Sequence, residues 1–342
     1  MKAKILFIVN PKSGVGRKDS IPELIDKYID KDLFDYQIAN TEYAGHATEL
    51  AQQAAQDKID IVAAIGGDGT VNEVGKALVN TDTAIAIIPT GSGNGLARHL
   101  AIPVNVKKSL QILNLACIHE LDYGMINDIP FFCTCGIGFD AFISMKFAKA
   151  GKRGLITYVQ KVLEEGLKYE PQTYDIEDDE GIHHYKAFLI SVANASQYGN
   201  NAYIAPQASM SDGLLDIIIM EPFDILEAPQ VAIEMFNKTL DKNSKIKTFR
   251  AKHIHIHRKE EGVIHFDGDP IMAGTDVDIK LVRKGIKVVV NPNKQKQQQQ
   301  PNMIQTSFSQ LFSNIDLIRS NINKQSRKVQ ALNKTILRKL NI

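Results

Sequence analysis

Four short segments carry residue types that could handle a phosphate. They are Asn10-Pro11-Lys12-Ser13-Gly14, Gly66-Gly67-Asp68-Gly69-Thr70-Val71-Asn72, Gly91-Ser92-Gly93-Asn94 and, far downstream, Asp267-Gly268-Asp269. Glycines between a strand and a helix let backbone N–H groups close on a phosphate, and a helix N-terminus favours its charge. Ordinary tight turns use the same residues, but three such loops in one region are hard to assign to turns alone. Asp68 lies in the middle of one of them, where it should repel the anion. It makes sense if the phosphate arrives with Mg²⁺, which takes one or two carboxylates beside substrate phosphates. The Gly-Lys-Ser/Thr ending of a P-loop is absent, so a nucleotide would be held without that lysine. In Asp267-Gly268-Asp269 a glycine turns two carboxylates around one bend. Such a pair can hold a metal or take a proton from an attacking hydroxyl, the latter worth ~10²–10⁴-fold in rate. An acidic hairpin turn open to water gives the same pattern. The stretch "SDGLLD" (211–216) reads as a plain turn or a metal loop.

The elements around these segments alternate. "KILFIVN" (4–10), "DYQIAN" (35–40), "IDIVAAI" (59–65) and "TAIAIIP" (83–89) are short and rich in β-branched residues. Three of the four are nearly continuously apolar, as strands covered on both faces must be. "GHATELAQQAAQDK" and "VNEVGKALVN" between them have helical spacing. Strand–helix alternation predicts a parallel sheet with right-handed crossovers, and each candidate loop follows a strand. Open parallel sheets bind ligands along that edge. From about Leu121 short alternating segments dominate, such as "FFCTCGIGF", "GLLDIIIME" and "GVIHFDG", interrupted by helical stretches near 140–168 and 224–240. This predicts a mostly antiparallel β domain, with the cleft between the two domains as the default active site.

Charge is balanced overall, 40 basic against 39 acidic residues, but unevenly placed. Residues 293–342 hold nine Lys/Arg and one acid, which leaves a net of −7 on the rest of the chain. That asymmetry points to an anionic partner for the tail alone. "NKQKQQQQPN" (293–302) reads as a linker, and apolar residues then recur at Leu311, Ile315, Ile318, Ile322, Val329, Leu332 and Ile336. A coiled coil or a basic amphipathic helix on an anionic surface would each satisfy that period, and a loosely helical solvated tail is the plainer alternative. Three cysteines, Cys117, Cys133 and Cys135, are too few for a disulfide scaffold, so a reducing compartment is expected. The Cys133-x-Cys135 pair should point both thiols to one strand face as packing. His253, His255 and His257 should form the solvated face of a half-buried strand over Ile254 and Ile256. No stretch approaches a membrane span or a signal peptide, so a soluble body is expected.

"NPKSG", "GGDGTVNE", "PTGSGNGLARHL", "SDGLLD" and "FDGD", in this order and spacing, resemble the bacterial lipid-kinase family that includes diacylglycerol kinases and sphingosine kinases. The resemblance covers roughly residues 5–290. It implies an α/β plus all-β chain, with an ATP-binding domain over 1–120 and a β-sandwich-like domain over 121–292, and leaves unmatched the tail over 293–342, which its own residues predict to be basic and helical. It further implies transfer of the γ-phosphoryl of ATP, with Mg²⁺, to a hydroxyl of diacylglycerol or a sphingoid base.

Matched residue by residue, Asn10, Pro11, Lys12, Ser13, Gly14, Thr41, Gly66, Gly67, Asp68, Gly69, Thr70, Val71, Asn72 and Ser92 resemble the nucleotide contacts. Asp269 falls where the family places its presumed general base, usually a glutamate, with Asp267 and Asp68 beside it in the catalytic set. Asp212, with the carbonyls of Ser209 and Leu214, resembles a structural Mg²⁺ site, and Asp122 joins Asp68 in the metal–water network. Diacylglycerol kinases often carry an acid where this chain has Gly95, so the lipid class stays open between the two types. Asp68→Asn is expected to remove turnover and leave the fold intact. Partners implied are a membrane lipid, an anionic membrane surface met by the tail, and a possible second copy of the chain through the heptads, with no nucleic acid. The protein would be cytoplasmic and visit the membrane during turnover. The alternatives are a kinase of a soluble substrate such as NAD, and a non-catalytic nucleotide-binding protein oligomerised through its tail.

Overall fold

A computed structural model describes residues 2–13, 21–150, 165–166, 168–224 and 227–293. Gly14, most of the 151–168 stretch and the tail from residue 294 therefore lie outside the described residues, and with them the linker and heptad readings.

Four parallel strands open the chain: β1 (Ala3–Val9), β2 (Phe34–Asn40), β3 (Ile61–Gly66) and β4 (Ala84–Pro89), in the order β2-β1-β3-β4. Every residue of β3 and β4 is buried, which the continuous apolar runs required of strands covered on both faces. One cover is α2 (His46–Gln56) and α3 (Asp68–Leu78), packed through Ala47, Ala51, Ala54, Val71, Val74 and Leu78. The other is α1 (Ile21–Tyr28) and α5 (Val106–Leu113), packed through Ile21, Ile25, Leu110 and Leu113. A single turn and a half, α4 (Gly95–His99), follows the fourth strand. Because the strands are parallel, their exits at Asn10, Thr41, Gly66 and Thr90 share one edge. The ladder runs into the loops there: Asn10 N–H donates to the Ile65 carbonyl (3.0 Å), Thr41 N–H to Val9 (2.8 Å) and Thr90 N–H to Gly66 (2.8 Å).

The second half is a two-layer β structure. One layer is a six-stranded sheet in which β7 (Thr134–Gly138) and β10 (Leu189–Ala193) are central and wholly buried. At its edge β14 (Gly262–Phe266) and β15 (Asp269–Ala273) form a hairpin. Against it packs the layer built from β8 (Gln172–Asp178), β9 (Gly181–Ala187), β13 (His253–Arg258) and the long β16 (Asp276–Val289), with Ile176, Ile217, Ile254, Ile256, Ile264 and Ile279 between the layers. The chain is thus an N-terminal α/β domain followed by a β-sandwich-like domain. The two share hydrogen bonds: β16 bends at a register shift between Val282 and Ile286, and its last residues join β4 in parallel, Val288 opposite Ile85. β5 (Ile118–Ile126) runs beside β16, so the boundary read at 120/121 falls inside a strand.

The histidine strand places Ile254 and Ile256 in the core and turns His253, His255 and His257 outward onto Asp276 and Asp278. Cys133 and Cys135 differ from the expectation of one shared face. Both are buried, but Cys133 precedes β7 and packs with Phe132 and Val74, whereas Cys135 lies between the sandwich layers. Among the described residues no helix is long and apolar enough to cross a membrane.

Candidate active site at the strand edge

The edge loops are stitched to one another by short polar contacts. Asn10 donates from Nδ2 to the Thr70 hydroxyl (3.0 Å), joining the first loop to the third. Its Oδ1 accepts from Lys12 N–H (2.9 Å), an Asx turn that leaves Pro11 and Lys12 exposed. Ser13 Oγ lies 3.2 Å from Thr90 Oγ1, joining the first loop to the fourth. Thr41 and Val71 are buried beside them and Ser92 is exposed at the loop tip.

Two glycines explain why the third and fourth loops need that residue type. A Cβ on Gly91 would stand 2.5 Å from Gly67 Cα and 2.9 Å from Asn94 Oδ1, so the two main chains pass at a distance only glycine permits. At the N-terminus of α3 the amides of Gly69 and Thr70 meet no acceptor among the described residues, and a Cβ on Gly69 would meet nothing within 4 Å. Unmet helix-terminal N–H groups fit a phosphate. Gly91→Ala is expected to lower both thermal stability and ATP affinity. Gly69→Ala should leave the melting temperature equal or higher, alanine being the better helix residue by ~1 kcal/mol, yet weaken ATP about tenfold or more by filling the anion space. Nucleotide titration beside a melting curve checks the pair; equal losses of affinity and stability in Gly69→Ala would remove the phosphate from that position.

The structure also answers why a carboxylate stands in the glycine loop. Asp68 accepts N–H from Asn94 at Oδ2 (2.8 Å) and from Gly95 at Oδ1 (2.6 Å), so it ties the GGDGT loop to the GSGN loop and caps α4. Asn94 adopts a left-handed conformation (φ 52°) and closes its own loop on Gly91 through both side-chain atoms. Burial pushes the Asp68 carboxyl above its ordinary value, against the pull of the Gly95 and Asn94 amides. Asp68→Asn therefore keeps one acceptor oxygen and sets its NH₂ against the other N–H, which loosens the latch, so lost turnover in that variant would not isolate the chemistry.

Asp122 and Asp267 are held in the same manner. Asp122, 2% exposed on β5, accepts from Gly213 N–H (2.9 Å) and Lys284 N–H (2.8 Å). Asp267 accepts from four donors: Phe132 N–H (2.9 Å), Cys133 N–H (2.7 Å), Thr134 N–H (3.1 Å) and Asn72 Nδ2 (2.7 Å). Burial raises its pKa, with the Phe132 and Cys133 amides pulling back. Four donors and no acceptor leave no place for a carboxyl proton, so we take Asp267 as ionised. Its role is to fasten the β14–β15 hairpin to α3, which brings Asp269 to the flank of the helix that begins at the glycine loop. Asp269 itself has open surface and no side-chain hydrogen bond among the described residues. The protein mass around its carboxyl raises its pKa, opposed by Lys76 and then His265.

Several of the residues read as magnesium ligands are engaged with protein partners. Asp212 pairs with the Arg250 guanidinium (3.1 Å), which also binds Asp216 (3.0 Å), and Asp212 Oδ1 accepts from Leu214 N–H (3.2 Å). Ser209 Oγ is engaged with Ser211. Asp68 and Asp122 give both oxygens to backbone amides, and no group of three His, Cys, Asp or Glu among the described residues is arranged to hold a metal. The unmet amides at the α3 N-terminus fit a phosphate, and no step below uses a cation.

Residues 4–126 match the family model for the diacylglycerol kinase catalytic domain, and residues 134–290 match that for the YegS C-terminal NAD kinase beta sandwich-like domain. The chain belongs to the diacylglycerol kinase family. It is therefore a kinase, an enzyme that transfers phosphoryl groups. It is 26% identical to the diacylglycerol kinase of Bacillus subtilis over 274 residues, 78% of this chain and 89% of that protein. An uncharacterized protein of Synechocystis is 28% identical over 299 residues, 84% of this chain but 66% of the longer relative. The crystal structure of a diacylglycerol kinase from Bacillus anthracis superposes with a TM-score of 0.67 at 27% identity, over 84% of this chain and 97% of that one. An ATP complex of an NAD kinase from Archaeoglobus fulgidus shares the fold alone, with a TM-score of 0.50 at 13% identity over 85% of this chain and 95% of that one.

Proposed function

We propose that the protein transfers the γ-phosphoryl group of ATP to the hydroxyl of a membrane lipid, diacylglycerol or a sphingoid base. The observation that carries the reading is the Asn72–Asp267 bond of 2.7 Å. It links the helix that presents unmet amides for phosphate to the hairpin that presents the uncommitted carboxylate of Asp269. The names of the relatives, diacylglycerol kinase among them, favour a lipid as acceptor.

In this reading the α3 N-terminus and the hydroxyls of Ser13, Thr70 and Thr90 hold the nucleotide at the strand edge. Asp269 accepts the proton of the lipid hydroxyl as its oxygen bonds to the γ-phosphorus. The bridging oxygen departs with ADP. Positioning of the two substrates, with the α3 N-terminal dipole set against the phosphate charge, supplies most of the rate.

Transfer of labelled γ-phosphate onto mixed micelles of diacylglycerol or sphingoid base, with NAD in a parallel reaction, tests the proposal. Labelled lipid supports it and names the acceptor. Label confined to NAD would replace it with the soluble-substrate reading, and nucleotide binding with no labelled acceptor would favour a binding protein.

The basic tail is part of the proposal as a tether, at about 1 kcal/mol per Lys/Arg near an anionic surface. Deleting residues 294–342 is expected to abolish flotation with anionic liposomes and leave ATP binding intact. Undiminished flotation would take the tail out of the account.

A further inference from the structure

Asp68, Asn72 and Lys76 follow one another at four-residue spacing along α3, so they form a stripe on one flank of the helix. Asp68 binds the GSGN loop and Asn72 binds Asp267. Lys76, the third member, reaches the same hairpin differently: its Nζ lies 4.2 Å from the centroid of the Phe266 ring. Phe266 stands opposite Asp269 in the β14–β15 register, so the ring that carries the ammonium and the free carboxylate share one face of the hairpin.

We propose that Lys76 is a positioning residue for phosphoryl transfer, its ammonium stationed on the Phe266 ring within electrostatic reach of Asp269 so that this carboxylate stays available to the acceptor hydroxyl. The inference rests on the reading of Asp269 as the proton acceptor.

The arrangement suits that task better than a closed ion pair would. A lysine in contact with Asp269 would occupy a lone pair and weaken the base. Among the described residues Lys76 closes no ion pair, and the ring face holds it by cation–π attraction without competing hydrogen bonds. Asp267 is near but already saturated by its four donors.

The charged groups around Lys76 and Asp269 are few. Burial lowers the Lys76 ammonium below its ordinary value, while Asp269, then Asp267 and Glu73, hold it up. From the other side Lys76, then His265, draws the Asp269 carboxyl down against its burial. Lys76 is thus the leading cation acting on Asp269. Because it stands on α3, it also couples the helix that presents phosphate-binding amides to the base.

The test compares the full-length protein with Lys76→Met and Lys76→Arg in two assays. In the first, the Asp269 carboxyl is titrated by NMR with carbon-13-labelled aspartate and assigned through Asp269→Asn. In Lys76→Met it is expected to titrate at a pH about one unit higher than in the natural protein, and Lys76→Arg should restore it. This assay needs no turnover, so it reads the coupling even if the acceptor is not a lipid. In the second assay, Lys76→Met should move the acid limb of kcat/KM upward by the same unit, a loss of up to about tenfold below both pKa values that fades towards neutral pH, with the KM for ATP unchanged. Arginine should recover most of the rate.

An unmoved Asp269 titration in a folded Lys76→Met would overturn the proposal. So would a lower kcat accompanied by a fallen melting temperature that arginine does not repair, since that marks Lys76 as packing for Phe266. No labelled lipid from the natural protein, with the titration shifted as expected, would instead sink the lipid-kinase reading and keep the Lys76–Asp269 coupling.

Discussion

Asp269→Asn is expected to lower phosphoryl transfer by about 10²–10⁴-fold while ATP affinity and melting temperature stay within error of the natural protein. Asparagine keeps the size of the side chain and loses the ability to take a proton. The carboxylate it replaces makes no side-chain hydrogen bond among the described residues, so little structure depends on it. The pH profile gives a second handle. A base must be ionised to act, and surrounding protein raises this carboxyl while Lys76 and His265 draw it back. Activity should therefore fall as pH drops through a pKa above the ordinary aspartate value of about 3.9, and that limb should vanish in the asparagine variant. Full activity in Asp269→Asn would remove it from the chemistry and leave the hairpin as scaffold only.

The neighbouring carboxylate two residues earlier is expected to behave in the opposite way. Asp267→Asn should lower stability by about 2–5 kcal/mol, the cost of leaving one or two amide donors unmet at ~1–3 kcal/mol each, with a melting temperature lower by on the order of 5–10 °C. An amide can accept at one oxygen only. Its NH₂ would face the N–H groups of the 132–134 bend, leaving buried donors unmet at ~1–3 kcal/mol each. Asp267→Ala should cost about as much, because the same donors lose their acceptor. Loss of activity in either variant should track loss of folded protein and return with stabilising conditions. Differential scanning calorimetry beside single-temperature kinetics separates the cases. A stable, inactive Asp267→Asn would restore Asp267 to the catalytic group in which the sequence reading placed it.

These two aspartates show where sequence reasoning stopped. "FDGD" announced two carboxylates around one bend, but residue type and spacing could not assign which was free. The difference arises from Asp267 taking a left-handed conformation (φ 49°), with Gly268 beside it at φ 91°, which aims one carboxylate into the turn before β7 and the other outward. That turn is 133 or more residues away in sequence, so no local pattern encodes the contact. Asp68 was legible as an anomaly among glycines and was explained by a metal. The partners that occupy it, the Asn94 and Gly95 amides, come from a loop 26 residues on and appear only when β3 and β4 lie side by side. Lys76 was missed outright. Its four-residue offset from Asn72 was available as a signal, but nothing in the sequence said which helix face meets the hairpin.

What the sequence determined by itself is the architecture and the location of the site. Continuous apolar runs forced doubly covered parallel strands, alternating runs forced the β layers, and glycine loops after parallel strands had to share one edge. These are local rules of period and sterics, and they survive translation into structure without knowledge of distant partners. What only the tertiary structure decided is the duty of each carboxylate. A carboxylate's chemistry depends on how many donors reach its oxygens, and those donors here are backbone amides brought in from other strands and loops. Asp68, Asp122 and Asp267 became ties between segments because amides converge on them, and Asp269 was left open because none do.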